Sequence, residues 1–345
     1  MLIGIMGRIR NVVISVLSLA TASCASTQNA ALELSNFEAA LAQPGVVSLP
    51  YTAQKHGLVL IDNIEVNGTA LTFGLDTGAT HSAIFKAAMG KAKLTHAAQD
   101  SARIHGMVIS DERNIVLAEN FSIGVQGFGQ TPLVVLDDRD LGALSWQSYD
   151  GIIGMDILQN YKLYFSKNAA QLKLIPSAIE VPIPKRWKRV ELSDVNYSQG
   201  PKTLHTLDID LEGRPVPALL DTGAEFSVLN WKAVKNSEIQ SVRRRLKKQW
   251  QAQGAIGTFR PVSKANIDSL RSGEKHWADR EFIVMSLNDI QIFGGLDKPF
   301  AIAGMNLLWD ETLLIDFEEN YIALEPRGDE NRRGGPSFLR GVTTQ

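Results

Sequence analysis

The chain has 345 residues, of which 44% are hydrophobic and 21% are charged, and its formal net charge is −2. That length suffices for two domains of ordinary size, and the composition excludes collagen-like, coiled-coil and largely disordered proteins. The near-neutral charge argues against a nucleic-acid-binding protein, so the basic run at 243–248 is interpreted as the solvated face of a helix.

The N-terminus has the pattern of a secretory signal peptide. Arg8 and Arg10 precede a short apolar stretch, from Val12 to Ala22, that ends in small residues. This stretch is too short to cross a bilayer, and the alternative of a buried N-terminal helix fits the two arginines less well. We therefore predict a signal peptide at 1–23, a spacer at 24–50 with room for one helix, and export to the periplasm or cell envelope.

A single cysteine, Cys24, directly follows the apolar stretch. Its context resembles a bacterial lipobox, in which the cysteine is lipidated, although Thr21 stands where that motif usually has leucine. Lipid anchoring at Cys24 and simple secretion are both open, and membrane association is expected only through this anchor. One cysteine excludes an intrachain disulfide, and the six histidines lack metal-ligand spacing, so no metal and no cofactor are predicted.

The rest of the chain contains the same pattern twice. Residues 71–80 and 216–225 each run from apolar residues into Asp-Thr-Gly-Ala, and a turn glycine stands eight residues before each aspartate. Further along, residues 150–158 and 300–308 share an apolar-apolar-Gly-Met pattern. Two copies with the same surroundings indicate an internal duplication rather than chance.

The duplication sets the predicted domain boundaries. We expect two homologous β-rich lobes, an N-terminal lobe at 51–180 and a C-terminal lobe at 201–327. A proline-containing, polar stretch at 181–200 is predicted to link them, and the tail at 328–345 is predicted to be disordered.

An apolar strand that runs into Asp-Thr-Gly places a carboxylate on a sharp turn. The glycine lets backbone N–H groups approach the carboxylate, and the threonine hydroxyl can bridge to an opposite turn. If the lobes pack about a pseudo-twofold axis, Asp76 and Asp221 meet and share one proton, because adjacent carboxylates cannot both ionise. The ionised carboxyl could then activate a water while the protonated one polarises a carbonyl group.

Both halves resemble the aspartic protease superfamily, and they are most similar to its retropepsin-like branch. The similarity covers most of 57–175 and 203–325. Retropepsins build their site from two identical chains, whereas this chain supplies both halves, as pepsins do. The resemblance implies an all-β fold of two homologous β-barrel lobes related by a pseudo-twofold axis, with the active site in the cleft between them.

The resemblance also assigns roles to the motif residues. It implies a catalytic pair (Asp76 and Asp221), interlocking hydroxyls (Thr77 and Thr222), loop glycines that contact the pair (Gly78 and Gly223) and glycines packed beneath the loops (Gly154 and Gly304). The implied activity is an aspartic endopeptidase acting on extended protein or peptide segments with apolar side chains beside the cleaved bond. The expected state is a monomer.

The chain departs from pepsins three residues past each aspartate. Pepsins carry a serine there, whereas this chain has Ala79 and Ala224. A hydroxyl that donates to the carboxylate would favour its charged form. Because that donor is missing, we expect a pH optimum that is mildly rather than strongly acidic.

The chain also departs from retropepsins in a pair of charged positions. Retropepsins have aspartate four residues past the catalytic one, where this chain has Thr80 in one half and Glu225 in the other. They often have arginine after the later glycine, where this chain has Met155 and Met305. The corresponding ion pair is missing and the halves are not equivalent, so we expect the substrate subsites on the two sides of the scissile bond to differ.

A glycine-containing hairpin, or flap, is expected over the cleft in each lobe, where it would exclude water and pair with an extended peptide. Residues 104–107 and 255–258 are candidates, although both fit ordinary turns equally well. The candidate flap residues are His105, Gly106, Ile256 and Gly257. His81 and His105 could line the cleft, but a surface or core position is more common for a histidine.

The sequence excludes one other function class and leaves another open. The chain has no Gly-x-Ser-x-Gly motif, so a serine hydrolase elbow is excluded. The alternative function is a two-lobed protein that binds a peptide or an envelope polymer without cleaving it, because fold resemblance alone does not establish activity.

Overall fold

The computed structural model describes residues 28–53, 58–94, 101–105, 110–137, 149–196, 203–211, 213–236, 247–252, 260–287, 298–308 and 311–326. The predicted signal peptide at 1–23, Cys24 and the tail at 328–345 lie outside these residues. None of the helices within the described ranges is long and apolar enough to cross a membrane.

The described first half of the chain begins with one helix, and two short helices then interrupt its strands. In chain order the elements are α1 (28–41), β1 (Val47–Pro50), β2 (Thr52–Ala53), β3 (Val59–Val66), β4 (Thr69–Leu75), β5 (Ala83–Phe85), α2 (Lys86–Lys91), β6 (Ser101–His105), β7 (Ser110–Ile123), β8 (Gln126–Leu136), β9 (Gly151–Ile153), α3 (Met155–Leu158), β10 (Tyr161–Ser166) and β11 (Gln171–Pro176).

The second half repeats this succession. Its elements are β12 (Lys188–Glu191), β13 (Ser193–Asn196), β14 (Thr203–Leu211), β15 (Arg214–Leu220), β16 (Ser227–Asn230), α4 (Trp231–Asn236), β17 (Lys247–Ala252), β18 (Arg260–Ser272), β19 (Lys275–Met285), β20 (Ala301–Ala303), α5 (Met305–Leu308), β21 (Leu313–Asp316) and β22 (Tyr321–Leu324).

Each half closes into a β-barrel with the same connectivity. The N-terminal lobe has the strand order β2-β3-β4-β9-β5-β8-β7-β6, and an additional pairing of β3 with β7 closes it. The C-terminal lobe has the order β13-β14-β15-β20-β16-β19-β18-β17, closed by the pairing of β14 with β18. The all-β prediction of two homologous barrel lobes is therefore confirmed.

The turn before each Asp-Thr-Gly strand has a local cause. Asn67 and Gly68 connect β3 to β4 with positive φ angles of 50° and 77°. A two-residue hairpin loop of this kind requires positive φ at both positions, which asparagine and glycine tolerate best. Gly213, with φ of 86°, leads into β15 at the matching place in the other lobe.

A third sheet joins the two lobes, with the order β1-β11-β10-β21-β22-β12. Its central pairing, β10 with β21, brings one strand from each half of the chain side by side and sets Leu163 opposite Ile315. Beside this pairing, Lys162 Nζ lies 2.8 Å from Asp316 Oδ2 in a buried ion pair. The two lobes thus share backbone hydrogen bonds as well as packed side chains.

Segments outside the predicted lobes also carry structure. Helix α1 and β1 lie in the predicted spacer, where Phe37 packs against Tyr164 and Trp187 at ring-centroid distances of 5.5 and 5.0 Å. Strands β12 and β13 lie in the predicted linker and pair with β22 and β14. Their apolar positions are buried against the shared sheet and the C-terminal barrel, which explains why the chain is ordered into strands there.

Candidate active site

Each Asp-Thr-Gly begins where a buried strand ends. Strands β4 and β15 run parallel to β9 and β20, and these neighbours hold the first residue of each loop. The Asp76 N–H donates to the Ile153 carbonyl at 3.0 Å, and the Asp221 N–H donates to the Ala303 carbonyl at 3.1 Å. The same backbone bond therefore positions both aspartates, one in each lobe.

The two threonines lock the loops together across the junction of the lobes. Thr77 Oγ1 donates to the Leu220 carbonyl at 2.9 Å, and Thr222 Oγ1 donates to the Leu75 carbonyl at 3.0 Å. Each hydroxyl also accepts the backbone N–H of the other threonine, at 3.0 and 3.1 Å. Both side chains are buried, so these four reciprocal bonds are protected from water.

The loop glycines bring the two carboxyl groups face to face. Gly78 N–H donates to Asp76 Oδ1 and Gly223 N–H donates to Asp221 Oδ1, both at 2.9 Å. A Cβ on Gly78 would lie 2.6 Å from Asp221 Cγ, and one on Gly223 would lie 2.5 Å from Asp76 Cγ. Since no side chain fits in either space, glycine is what allows each loop to approach the carboxyl group of the other lobe.

The carboxyl groups of Asp76 and Asp221 lie close enough to influence each other's pKa. The pKa of Asp76 is raised, chiefly by burial, although bonds from the Gly78 and Ala79 backbone oppose the rise. Burial, followed by the charge of Asp76, raises the pKa of Asp221 well above its usual value. The structure therefore favours one proton shared by the pair over two charged carboxylates.

Gly154 and Gly304 lie directly beneath the two loops. A Cβ on Gly154 would lie 2.6 Å from the carbonyl carbon of His81, and one on Gly304 would lie 2.7 Å from the Ala224 carbonyl oxygen. The next residue in each lobe, Met155 or Met305, donates its N–H to the loop at 2.8 Å. Neither position has room for a side chain beneath its loop.

A side-chain pair supports each loop, with a buried serine and a half-buried acceptor, and neither pair was predicted from the sequence. In the N-terminal lobe, Asp156 Oδ1 accepts from the N–H and hydroxyl of Ser82, at 2.9 and 2.7 Å. In the C-terminal lobe, Asn306 Oδ1 accepts the same two bonds from Ser227, both at 2.7 Å. The signal was present in the repeat, since each serine stands six residues after its aspartate and each acceptor two after its glycine.

Tyr149 was also missed, because no pattern in the sequence marks it. It lies half-buried beside Phe85, with ring centroids 5.4 Å apart. Burial, and secondarily the charge of Asp76, raise the pKa of Tyr149 to about 12. Its phenol is thus near the carboxyl pair and stays protonated.

The candidate flaps fall on equivalent hairpins. His105 is the last residue of β6, which pairs with β7, and β17 pairs with β18 in the same way in the other lobe. Gly106, Ile256 and Gly257 belong to the connections of these hairpins and lie outside the described residues. His81 is partly exposed, and its Nδ1 lies 2.8 Å from Thr80 Oγ1.

Within the described residues, no group of three or more histidine, cysteine, aspartate or glutamate side chains could hold a metal ion. At the junction of the lobes stand two adjacent carboxyl groups, one from each lobe, and burial raises the pKa of both. Such a pair can remove a proton from one group and donate a proton to another in the same step.

Comparison with known proteins agrees with this geometry. A family model described as aspartyl protease matches the chain twice, at residues 63–157 and 207–299. A comparison with curated protein sequences finds no significant match. The two matches together cover more than half of the chain, and each includes one Asp-Thr-Gly loop. The chain therefore belongs to the aspartyl protease family, with one copy of the retropepsin-like unit in each lobe.

Proposed function

We propose that the protein is an aspartic endopeptidase whose catalytic residues are Asp76 and Asp221. The observation that carries the proposal is the pair of adjacent carboxyl groups, held together by the reciprocal threonine bonds and by the close approach of the loop glycines. A non-catalytic scaffold would not need to keep two half-buried carboxyl groups together, where their repulsion opposes folding.

The proposed reaction follows from one proton shared by the pair. We assign the charge to Asp76, which takes a proton from a water molecule as the water oxygen bonds to the scissile carbonyl carbon. Asp221 donates its proton to the carbonyl oxygen, which gives a neutral tetrahedral diol. Asp76 then passes its proton to the amide nitrogen and Asp221 takes a proton back from a diol hydroxyl as the carbon–nitrogen bond breaks. The product acid and amine leave, and the pair returns to its starting state.

The substrate we propose is an extended protein or peptide segment. We propose that the hairpins β6–β7 and β17–β18, which pair within each lobe, each contribute backbone hydrogen bonds to such a segment. Since both halves of the site come from one chain, we propose a monomer as the active state.

Export remains part of the proposal. The pattern at residues 1–23 supports secretion to the periplasm or cell envelope, and Cys24 is the candidate lipid anchor. Fractionation of expressing bacteria, with labelled fatty acid and a Cys24→Ala variant, tests it. Label on the native protein alone supports the anchor, and cytoplasmic protein of full length contradicts export.

The test of the function is cleavage of a diverse peptide library by the purified protein from pH 4 to 8, with and without a statine-type inhibitor. We expect cleavage that is greatest at mildly acidic pH and is blocked by the inhibitor. Folded protein that binds peptides from the library and cleaves none of them at any pH would instead support a binding protein without catalytic activity.

A further inference from the structure

The register of the two barrels identifies a position where the lobes differ in charge. In the N-terminal lobe, Ile115 of β7 lies opposite Val134 of β8, which in turn pairs with β5. In the C-terminal lobe, Lys264 of β18 lies opposite Ile283 of β19, which pairs with β16 in the same register. Ile115 and Lys264 are therefore equivalent positions under the pseudo-twofold relation.

Ile115 belongs to an apolar surface in the N-terminal lobe, which we name the N-wall. Its members lie on the barrel face opposite to the main core, and they form a cluster separate from it. The members are Ala79, Ala83, Phe85, Ile115, Val134, Leu136, Tyr149 and Ile152. Three of these, Ala79, Ile115 and Tyr149, are partly exposed, so the wall presents apolar surface rather than closing on itself.

The N-wall borders the catalytic pair. Ala79 stands three residues after Asp76 in the same loop. The phenol of Tyr149 lies close enough to Asp76 for that charge to contribute to its raised pKa. A peptide whose scissile bond lies over the two carboxyl groups would therefore place one side chain against this wall.

The equivalent wall in the C-terminal lobe carries an ion pair between a buried lysine and a partly exposed glutamate. Lys264 Nζ lies 2.8 Å from Glu281 Oε1 and 5.2 Å from the ring centroid of Phe226, which follows the Asp221 loop. The place of Phe85 is taken by a buried amide, Asn230. Asn230 Oδ1 accepts the backbone N–H groups of residues 233 and 300 at 2.8 and 3.1 Å. We name this surface the C-wall.

The two walls favour different substrate side chains. A large apolar side chain against the N-wall removes apolar surface from water on both partners, which is favourable. The same side chain against the C-wall would cover the partly exposed Glu281 carboxylate without offering it a hydrogen bond, which is unfavourable. A polar side chain can donate a hydrogen bond to Glu281 and avoids that penalty, while the buried Lys264 ammonium group holds the carboxylate in place.

We propose that Lys264, with Glu281, makes the substrate specificity directional: the N-wall takes a large apolar side chain and the C-wall takes a polar one. This inference rests on the proposed endopeptidase function and adds to it the class of peptide that is cleaved. The substrate has unlike side chains at the two pseudo-equivalent positions around the scissile bond, so its two orientations in the cleft differ in affinity.

Four peptides test the inference, and they differ only at the two pseudo-equivalent positions, one on each side of the scissile bond. Written in the order before/after that bond, the pairs are Phe/Gln, Gln/Phe, Phe/Phe and Gln/Gln. We expect one of the two mixed orders to be cleaved at least about tenfold better than the other, in kcat/KM. Equal cleavage of the mixed orders, with activity present, would overturn the inference and leave the endopeptidase proposal standing.

The matched variants assign the preference to the C-wall. The double variant Lys264→Ile with Glu281→Gln removes the ion pair and gives position 264 the isoleucine that the N-wall has at 115. We expect Phe/Phe to become the best cleaved of the four peptides. The control is Lys275→Ile with Glu311→Gln, which removes another ion pair of the same lobe, of 2.9 Å, at the turn end of the β18–β19 hairpin. An unchanged preference in the first variant, or the same change in the control, would contradict the role of Lys264.

Two further measurements keep the outcome decisive. If the double variant does not fold, Lys264→Met leaves the partly exposed Glu281 to solvent and gives the same readout. If the native protein cleaves none of the four peptides, their dissociation constants are measured by fluorescence anisotropy. A preference for one mixed order in binding supports the walls while the endopeptidase proposal fails, and binding without preference, or no binding, overturns both.

Discussion

At the scale of single residues, the site depends on the absence of side chains at Gly78 and Gly223. Each lies against the carboxyl group of the opposite lobe, and a Cβ would come within 2.6 Å of its carbon. The N–H of each glycine holds its own aspartate at 2.9 Å. The missing side chain of each glycine thus sets how closely the two carboxyl groups approach, and its N–H sets the orientation of its own aspartate.

We expect Gly78→Ala to lower kcat/KM by about 100-fold, because the added methyl group must displace Asp221 and misplacement of about 1 Å has that effect on a catalytic group. Peptide cleavage measures it. The matched control is Gly90→Ala in α2, where a Cβ would meet no atom within 4 Å. This control should keep full activity and gain up to about 1 kcal/mol of stability from helix propensity. Equal activity of the two variants would contradict the packing argument.

The protonation of Asp221 predicts a dependence of stability on pH. Its pKa is raised in the folded state above 3.8, so the folded state binds this proton more strongly than the unfolded state. The stability of the native protein therefore falls as pH rises from 3.8 through the raised pKa, and stays lower above it. Asparagine cannot ionise, and its oxygen can still accept the two backbone bonds at this position.

We accordingly expect Asp221→Asn to be more stable than the native protein at pH 7, with the difference in melting temperature shrinking toward pH 4. Thermal unfolding at intervals from pH 4 to 8 measures this difference. A difference that does not vary with pH would show that Asp221 titrates alike in the folded and unfolded protein.

At the scale of elements, the ends of β4 and β15 are tied to each other by side chains. Thr77 Oγ1 donates to the Leu220 carbonyl at 2.9 Å and accepts from the Thr222 N–H at 3.0 Å, and Thr222 repeats both bonds in reverse. The strands come from different barrels, so this link fixes their relative position at the site.

Thr77→Val keeps the shape of the side chain and removes both hydroxyl bonds. It leaves a buried carbonyl and a buried N–H without these partners, for which we expect a loss of about 2–4 kcal/mol in the free energy of unfolding. Thr77→Ser keeps the hydroxyl and should lose only about 1 kcal/mol, the value of one buried methyl group. Urea denaturation of the two variants measures the losses, and a loss as large in Thr77→Ser would assign the effect to packing.

The elements that the sequence predicted well are those with local causes. The Asn67-Gly68 turn and the Asp-Thr-Gly loops follow from residue types that tolerate positive φ or close backbone approach. The internal repeat then predicted the matching turn and loop in the other half of the chain. The supporting pair of Ser82 and Asp156 was encoded in the same spacing but has no motif of its own. Tyr149 had no signal at all, because its place depends on how distant strands pack.

At the scale of the whole molecule, a shared sheet joins the barrels through β10 and β21. The sequence did not predict this sheet, because its strands come from distant parts of the chain and their pairing depends on the packed lobes. Its buried ion pair, Lys162 with Asp316 at 2.8 Å, connects the two halves. Asp316 Oδ1 also accepts the N–H groups of Glu318 and Glu319, at 3.1 and 3.0 Å.

We expect Lys162→Met to lower the free energy of unfolding by about 3–5 kcal/mol, because Asp316 loses its cation while it stays buried. The double variant Lys162→Met with Asp316→Asn should recover much of that loss, since asparagine carries no charge and can still accept the turn bonds. Chemical denaturation of the native, single and double variants measures the coupling. Additive losses would show that the two groups do not interact across the lobes.

The central claim is that two carboxyl groups, one from each lobe, act together in catalysis. It is tested most directly by kcat/KM for a cleaved peptide in Asp76→Asn and Asp221→Asn, each made alone, with Asp62→Asn at an exposed position as the control. Our account predicts that each of the first two variants loses activity by about 1,000-fold or more while remaining folded, and that the control keeps it. Substantial cleavage by either single variant would contradict the shared catalytic pair.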